Sequence, residues 1–216
     1  MNNSSQRTLK IIIFLFAVAA AVNFWVIEPK KNSHKAIAGI RDPIQKEASG
    51  TAKWKEEGNN AYFRLLYSYD IEALVVHTHS YWGNTNAGDR LSPLDLGLAW
   101  GKVAEYNDRI DFHWSQSGRW LSWMVKDVAE LKPVGGVEGV GKNVSNNHII
   151  PENKTVERQV KRIRTGDHVR LKGYLVAIEG VQDNGSEFWW NSSTDRNDSG
   201  DGACEVFYVK EVTKLP

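Results

Sequence analysis

A chain of 216 residues with 41% hydrophobic and 25% charged side chains has enough apolar material for one domain of ordinary size plus an extra segment. Its 27 basic and 26 acidic residues leave a net charge of +1, so no whole-chain field recruits nucleic acid or an anionic surface, and any electrostatic function has to be local. The single cysteine, Cys204, excludes an intrachain disulfide and a zinc site built on several thiolates, while GxSxG, HExxH, P-loop and GxGxxG patterns are all missing.

Residues 1–10 are a polar tail carrying Arg7 and Lys10. Residues 11–27, IIIFLFAVAAAVNFWVI, are uncharged and cover roughly 25 Å as a helix, just enough for a bilayer core, so they are predicted to be a transmembrane anchor. A cleaved signal is the rival, because Ala17-Val18-Ala19 and Ala19-Ala20-Ala21 both fit a small-x-small site. The positive charges that follow (Lys30, Lys31, Lys35, Arg41, Lys46) count toward a cytoplasmic domain. A short charged tail before an apolar run has instead the shape of an exported segment, and an extracytoplasmic domain is the expectation. Residues 28–60 are polar and mixed in charge, which reads as a juxtamembrane tether.

The globular domain is expected over residues 61–216. AYFRLLYSYDIEALVVHTHSYW reads as one or two strands. Ser92, Pro93 and Asp95 look like a helix start with a capping box, predicting a largely buried helix over LDLGLAWGKVAEY with Gly97 and Gly101 as a flat strip. RIDFHWSQ and RWLSWMV read as two short strands, and residues 133–147 as a long glycine-rich loop. TVERQVKRIR is predicted as an amphipathic helix from Val156, Val160 and Ile163. HVRLKGYLVAIEG is a strand bent at Gly173, Asp183-Asn184-Gly185 a hairpin turn, EFWWNSS a strand and CEVFYVKEV its return. The fold class is therefore α+β: an N-terminal transmembrane helix, then one mainly antiparallel β domain. That domain is expected to be a small OB- or SH3-like barrel, closed by a C-terminal three-stranded meander and carrying one buried and one amphipathic helix.

The segments LSPLDLGLAWGKVAE, SQSGRW, NNHIIP, RTGDHVRLKGYLV and SSTDRNDSGDGACEVFYV, in this order, resemble a family of uncharacterised bacterial membrane or exported proteins. The resemblance covers roughly residues 60–213. It implies a bacterial source and an anchored domain, hence the inner membrane, and carries no activity with it.

His77 and His79, two apart on a strand, face one way and are candidate metal ligands with His113 or His148 as a third. Strand-end histidines of this kind are more often surface residues, and neither a metal nor another cofactor is expected. Cys204 beside Glu205 suggests a thiol nucleophile with His148 or His168 as base, against the simpler reading of a small core residue. Arg158, Arg162 and Arg170 lie in a basic stretch. Together with Arg119, Arg196 and the pair Trp189–Trp190 they are the candidate binding residues for a protein or other anionic envelope partner, provided they share one side of the domain. The acidic loop around Asp195, Asp198 and Asp201 lacks the glutamate that completes an EF-hand, and reads as a turn. The expectation is a non-enzymatic binding or scaffold module anchored in the bilayer through residues 11–27. A metal- or thiol-dependent hydrolase and a nucleic-acid-binding OB-type domain are the alternatives.

Overall fold

Aromatic and β-branched residues dominate the stretch after Asn59, and in the computed structural model they form one strand of 22 residues, Asn59–Ser80. The structure describes residues 34–56, 59–81, 87–181, 184–195 and 203–216. The predicted anchor and Arg196 lie outside these. Among the described residues no helix is long and apolar enough to cross a membrane.

Ten strands are described: β1 (Ile44–Glu47), β2 (Thr51–Glu56), β3 (Asn59–Ser80), β4 (Leu94–Ala99), β5 (Ser115–Ser117), β6 (Trp120–Ser122), β7 (Val144–Pro151), β8 (His168–Val181), β9 (Glu187–Asn191) and β10 (Glu205–Leu215). The helices are α1 (Ala87–Leu91), α2 (Gly101–Tyr106), α3 (Gly136–Lys142) and α4 (Lys154–Val160), with a 3-10 turn over Val128–Val134. The domain is mainly antiparallel β, as expected. β3 pairs with β4, β4 with β7, β7 with β10, β10 with β8, and β8 again with β3, so these pairings return on themselves. Among the described strands only β7 and β10 run parallel. The length of β3 lets it hold β8 on one edge while its other edge takes β2, β1 and β4 in turn.

Alternation along the strands separates two apolar cores. Ile71, Leu96, Leu98, Ile149, Leu171, Leu175, Phe207 and Val209, drawn from all five strands of the ring, join the larger cluster. The other faces of β3, β7, β8 and β10 send Phe63, Ile150, Val176, Ile178 and Val206 into a smaller one. The predicted amphipathic helix is α4; Asn153 caps it by accepting from the amides of Thr155 and Val156, and Val156 and Val160 reach the larger core. Gly173 stands where a Cβ would run into the carbonyl oxygen of Tyr208, which is why β8 has no side chain there.

Four expectations are corrected. The predicted buried helix is instead strand β4 followed by the short α2: Leu94, Leu96 and Leu98 alternate into the larger core, a period-two pattern that overrides the capping-box signal. The glycine-rich loop resolves into part of the 3-10 turn, α3 and the start of β7; Gly135 and Gly136, both with positive φ, join the turn to the helix. The C-terminal strands are not a meander, because β8 lies between β9 and β10. Residues 44–47 and 51–56, assigned to the tether, pair with β3.

Candidate functional site

Leu94, Leu96 and Leu98 point into the ring, so Asp95 and Gly97 face the opposite way, beside Asn146 and His148 of β7. The hairpin β5–β6 lies over this outer face. Its two-residue turn, Gly118-Arg119, has positive φ at both positions (57° and 73°), the mirror-image geometry that suits the twist of a hairpin. A Cβ at Gly97 would sit 2.9 Å from Leu121 of β6, so the missing side chain lets the hairpin come down. Gln116 of β5 joins it to the ring: its amide nitrogen donates to Asn146 Oδ1 (2.6 Å), and its oxygen lies 2.9 Å from His77 Nδ1. Burial pushes the His77 imidazole below its ordinary pKa, only partly offset by Gln116, with neighbouring His79 adding to the depression.

Arg119 turns inward at the tip of this hairpin. Its Nη1 donates to Asp95 Oδ1 (2.8 Å) and its Nη2 to Asp89 Oδ1 (2.6 Å). The guanidinium lies over the Tyr81 ring at 3.5 Å and 5.4 Å from that of Trp190. Asp95 is fully buried; it also accepts from the Tyr81 hydroxyl (2.8 Å) and lies 3.0 Å from His148 Nδ1. That last approach is too poorly aligned for a hydrogen bond, leaving an electrostatic contact between buried groups. Burial, reinforced by the Asp95 charge, drives the Tyr81 hydroxyl far up from its usual range, so it remains a donor.

Beside this network Arg119, Trp120, His148, Trp189, Trp190, Asn191 and Cys204 line a groove of about 610 Å³. The His148 ring packs against Trp190 with centroids 4.6 Å apart. Asn146 donates to the Arg119 carbonyl (2.7 Å) and lies 3.6 Å from Cys204 Sγ. The site thus offers two outward-facing indoles, a thiol, an imidazole, and an arginine whose charge is already balanced by two carboxylates.

Of the expected binding residues, the structure brings together Arg119, Trp189 and Trp190. Arg158 and Arg162 are exposed on and after α4. Arg170 makes a two-pronged pair with Asp70, both bonds 2.8 Å. Glu179, the partner of Trp189 across the strands, lies nine residues beyond Arg170 on β8, roughly 30 Å of extended chain. The histidines go separate ways: His77 binds Gln116, His79 packs on Tyr81, and His113 pairs with Asp111. Among the described residues no three His, Cys, Asp or Glu side chains are grouped to hold a metal. His168 bonds to Glu72 and stands opposite Leu215, at the other end of β10 from Cys204. His148 is therefore the histidine that shares a groove with the thiol. Sequence reasoning missed Asp89, Asp95, Tyr81, Asn146 and Gln116 as site residues; the one available signal was the polar pair Asn146–Asn147 embedded in an apolar strand.

Compared with protein families, curated proteins and solved structures, the chain matches none. The site has to be read from its own geometry.

Proposed function

We propose that this chain is a membrane-anchored, non-enzymatic binding module of the bacterial envelope, built on an OB-type barrel and held in the inner membrane through residues 11–27 with its domain outside the cytoplasm. Counting only the ring, the strands are ordered first, second, third, fifth, fourth, with the parallel pair between third and fifth and α4 between third and fourth. That order supports the OB assignment. OB-type modules take ligands over the second and third strands, between the first–second and fourth–fifth connections. Here the second and third strands are β4 and β7, and β5–β6 occupies their outer face.

The observation that carries the reading is the displaced groove: Trp120 and Trp189 stay exposed at its rim while Arg119 beneath them is neutralised. Exposed indoles over a balanced base suit stacking or packing contact with a partner. A nucleic-acid strand would require unpaired cations along its track. A photo-crosslinking residue placed at Trp189 in cells should give a discrete adduct, and one at Val137 on α3 should not. Micromolar binding of single-stranded oligothymidylate by the purified chain, falling steeply with salt, would refute the assignment in favour of nucleic acid.

Cys204 and His148 lining one groove favour a second reading, a thiol-dependent hydrolase. Its signature would be iodoacetamide alkylation of Cys204 that is rapid at neutral pH and slows in His148→Asn.

A further inference from the structure

β2, the first half of β3, the last third of β8 and β9 form a four-stranded antiparallel arm. One face is buried: Phe63 and Ile178 enter the smaller core, with Phe188 and Trp190 packed against it. The other face is open. Register aligns Lys53 with Tyr62, Tyr62 with Glu179 and Glu179 with Trp189, one row across four strands, and in the next row Val181 stands opposite Glu187. Tyr62, Glu179, Val181, Glu187 and Trp189 line a second groove of about 660 Å³ on this face, meeting the first at Trp189.

Its chemistry differs from that of the first groove. Tyr62 is 56% and Trp189 73% exposed, so two large rings stand in water on either side of Glu179. Both charged groups in the lining are carboxylates, and neither Glu179 nor Glu187 is held in an ion pair among the described residues. The chain's own Lys53 ammonium rests 5.4 Å from the Tyr62 centroid, so this ring already accepts a cation at the end of the row. Aromatic faces attract cations through their quadrupole, and adjacent carboxylates add charge. β9 ends the strand order, so its outer edge carries no strand among the described residues. An extended segment paired there would present alternate side chains to this face.

The geometry points to a docking site for an extended basic segment of a partner protein, whose alternate lysine or arginine side chains enter between Tyr62 and Trp189 over Glu179 and Glu187. This site shares Trp189 with the groove beside Arg119 and none of its other lining residues.

The test uses the full chain in neutral detergent and a fluorescein-labelled decapeptide of alternating Lys and Thr, read by anisotropy. The peptide should bind, and Glu179→Gln/Glu187→Gln and Trp189→Ala should each weaken it at least about tenfold, as should acetylation of its lysines. Glu211→Gln, an exposed carboxylate elsewhere, and Trp120→Ala in the first groove should leave binding unchanged. Circular dichroism melts establish that each variant is folded. No binding up to millimolar peptide, equal binding of the acetylated peptide, or equal binding by the Gln pair or Trp189→Ala would overturn the assignment. So would displacement of the peptide by a neutral chito-oligosaccharide in place of unlabelled basic peptide, which would make the groove a glycan site.

Discussion

Replacing Arg119 with methionine would keep most of its apolar length and remove the cation that sits between Asp89 and Asp95. Asp95 is fully buried, and it would keep the Tyr81 hydroxyl but lose its counter-charge. Breaking a buried pair by deleting one partner costs about 3–5 kcal/mol, because the other charge is left desolvated. The Arg119 side chain is one-fifth exposed, so water would reach Asp89 in its place, and the low end, about 3 kcal/mol, is expected. With a urea slope of about 2–3 kcal/mol per molar, the midpoint of unfolding should drop by about 1 M. Removing both charges in Arg119→Met/Asp95→Asn should recover at least about 1.5 kcal/mol relative to the sum of the single losses. Equilibrium urea unfolding of the four proteins, followed by far-UV circular dichroism, measures this cycle. An Arg119→Met loss below about 1 kcal/mol, or single losses that add to within about 0.5 kcal/mol, would refute the idea that Arg119 acts through Asp95.

Gly173→Ala places a Cβ against the Tyr208 carbonyl, a backbone atom that cannot swing aside, so a loss of at least about 2 kcal/mol and a melting temperature at least about 5 °C lower are expected by calorimetry. His77 is harder to protonate folded than unfolded, so the unfolded chain binds the extra proton first; stability should fall as pH drops below the unfolded value of 6.5, by at most about 1.4 kcal/mol per pH unit. Urea midpoints between pH 7.5 and 5.5 should decline less steeply in His77→Gln, and parallel curves would dismiss His77 as the source. The Arg170 guanidinium, chiefly through its hydrogen bonds, holds the Asp70 carboxyl below its ordinary pKa of 3.8, so Arg170→Gln should move the Asp70 titration up toward that value in a carbon-detected NMR series.

β3, β8 and α4 were legible from local composition and spacing: β-branched and aromatic residues crowd β3, Val169 and Leu171 alternate with Arg170 and Lys172 in the first half of β8, and Val156, Val160 and Ile163 recur at helical spacing. β4 was misread because six residues that include Asp95 and follow Ser92 and Pro93 satisfy a helix start as well as a strand; the choice was made by Leu94, Leu96 and Leu98 finding the ring interior, which is not local information. Asp95 then serves Arg119, 24 residues away, and not a helix amide. β7 was hidden by its polar centre, since Asn146 and His148 look like loop residues until Gln116 and Trp190 come to meet them. Arg119, Trp189 and Trp190, named from the sequence as binding candidates, come to line one groove. That the arginine faces inward depends on Asp89 and Asp95, which lie 30 and 24 residues earlier in the chain.

The placement of β10 also bears on how the molecule assembles. It is the strand that fills the gap between β7 and β8, and β8 must itself find β3 across loops as long as the 100 residues between Asp70 and Arg170. Such distant pairings make folding slow. Until Glu205–Leu215 has been synthesised, β7 and β8 each keep a bare edge of unpaired amides and carbonyls, and a nascent or truncated chain is open there to pairing with its own copies. The eleven residues of β10 thus cover two strand edges at once, and a chain that lacks them exposes both.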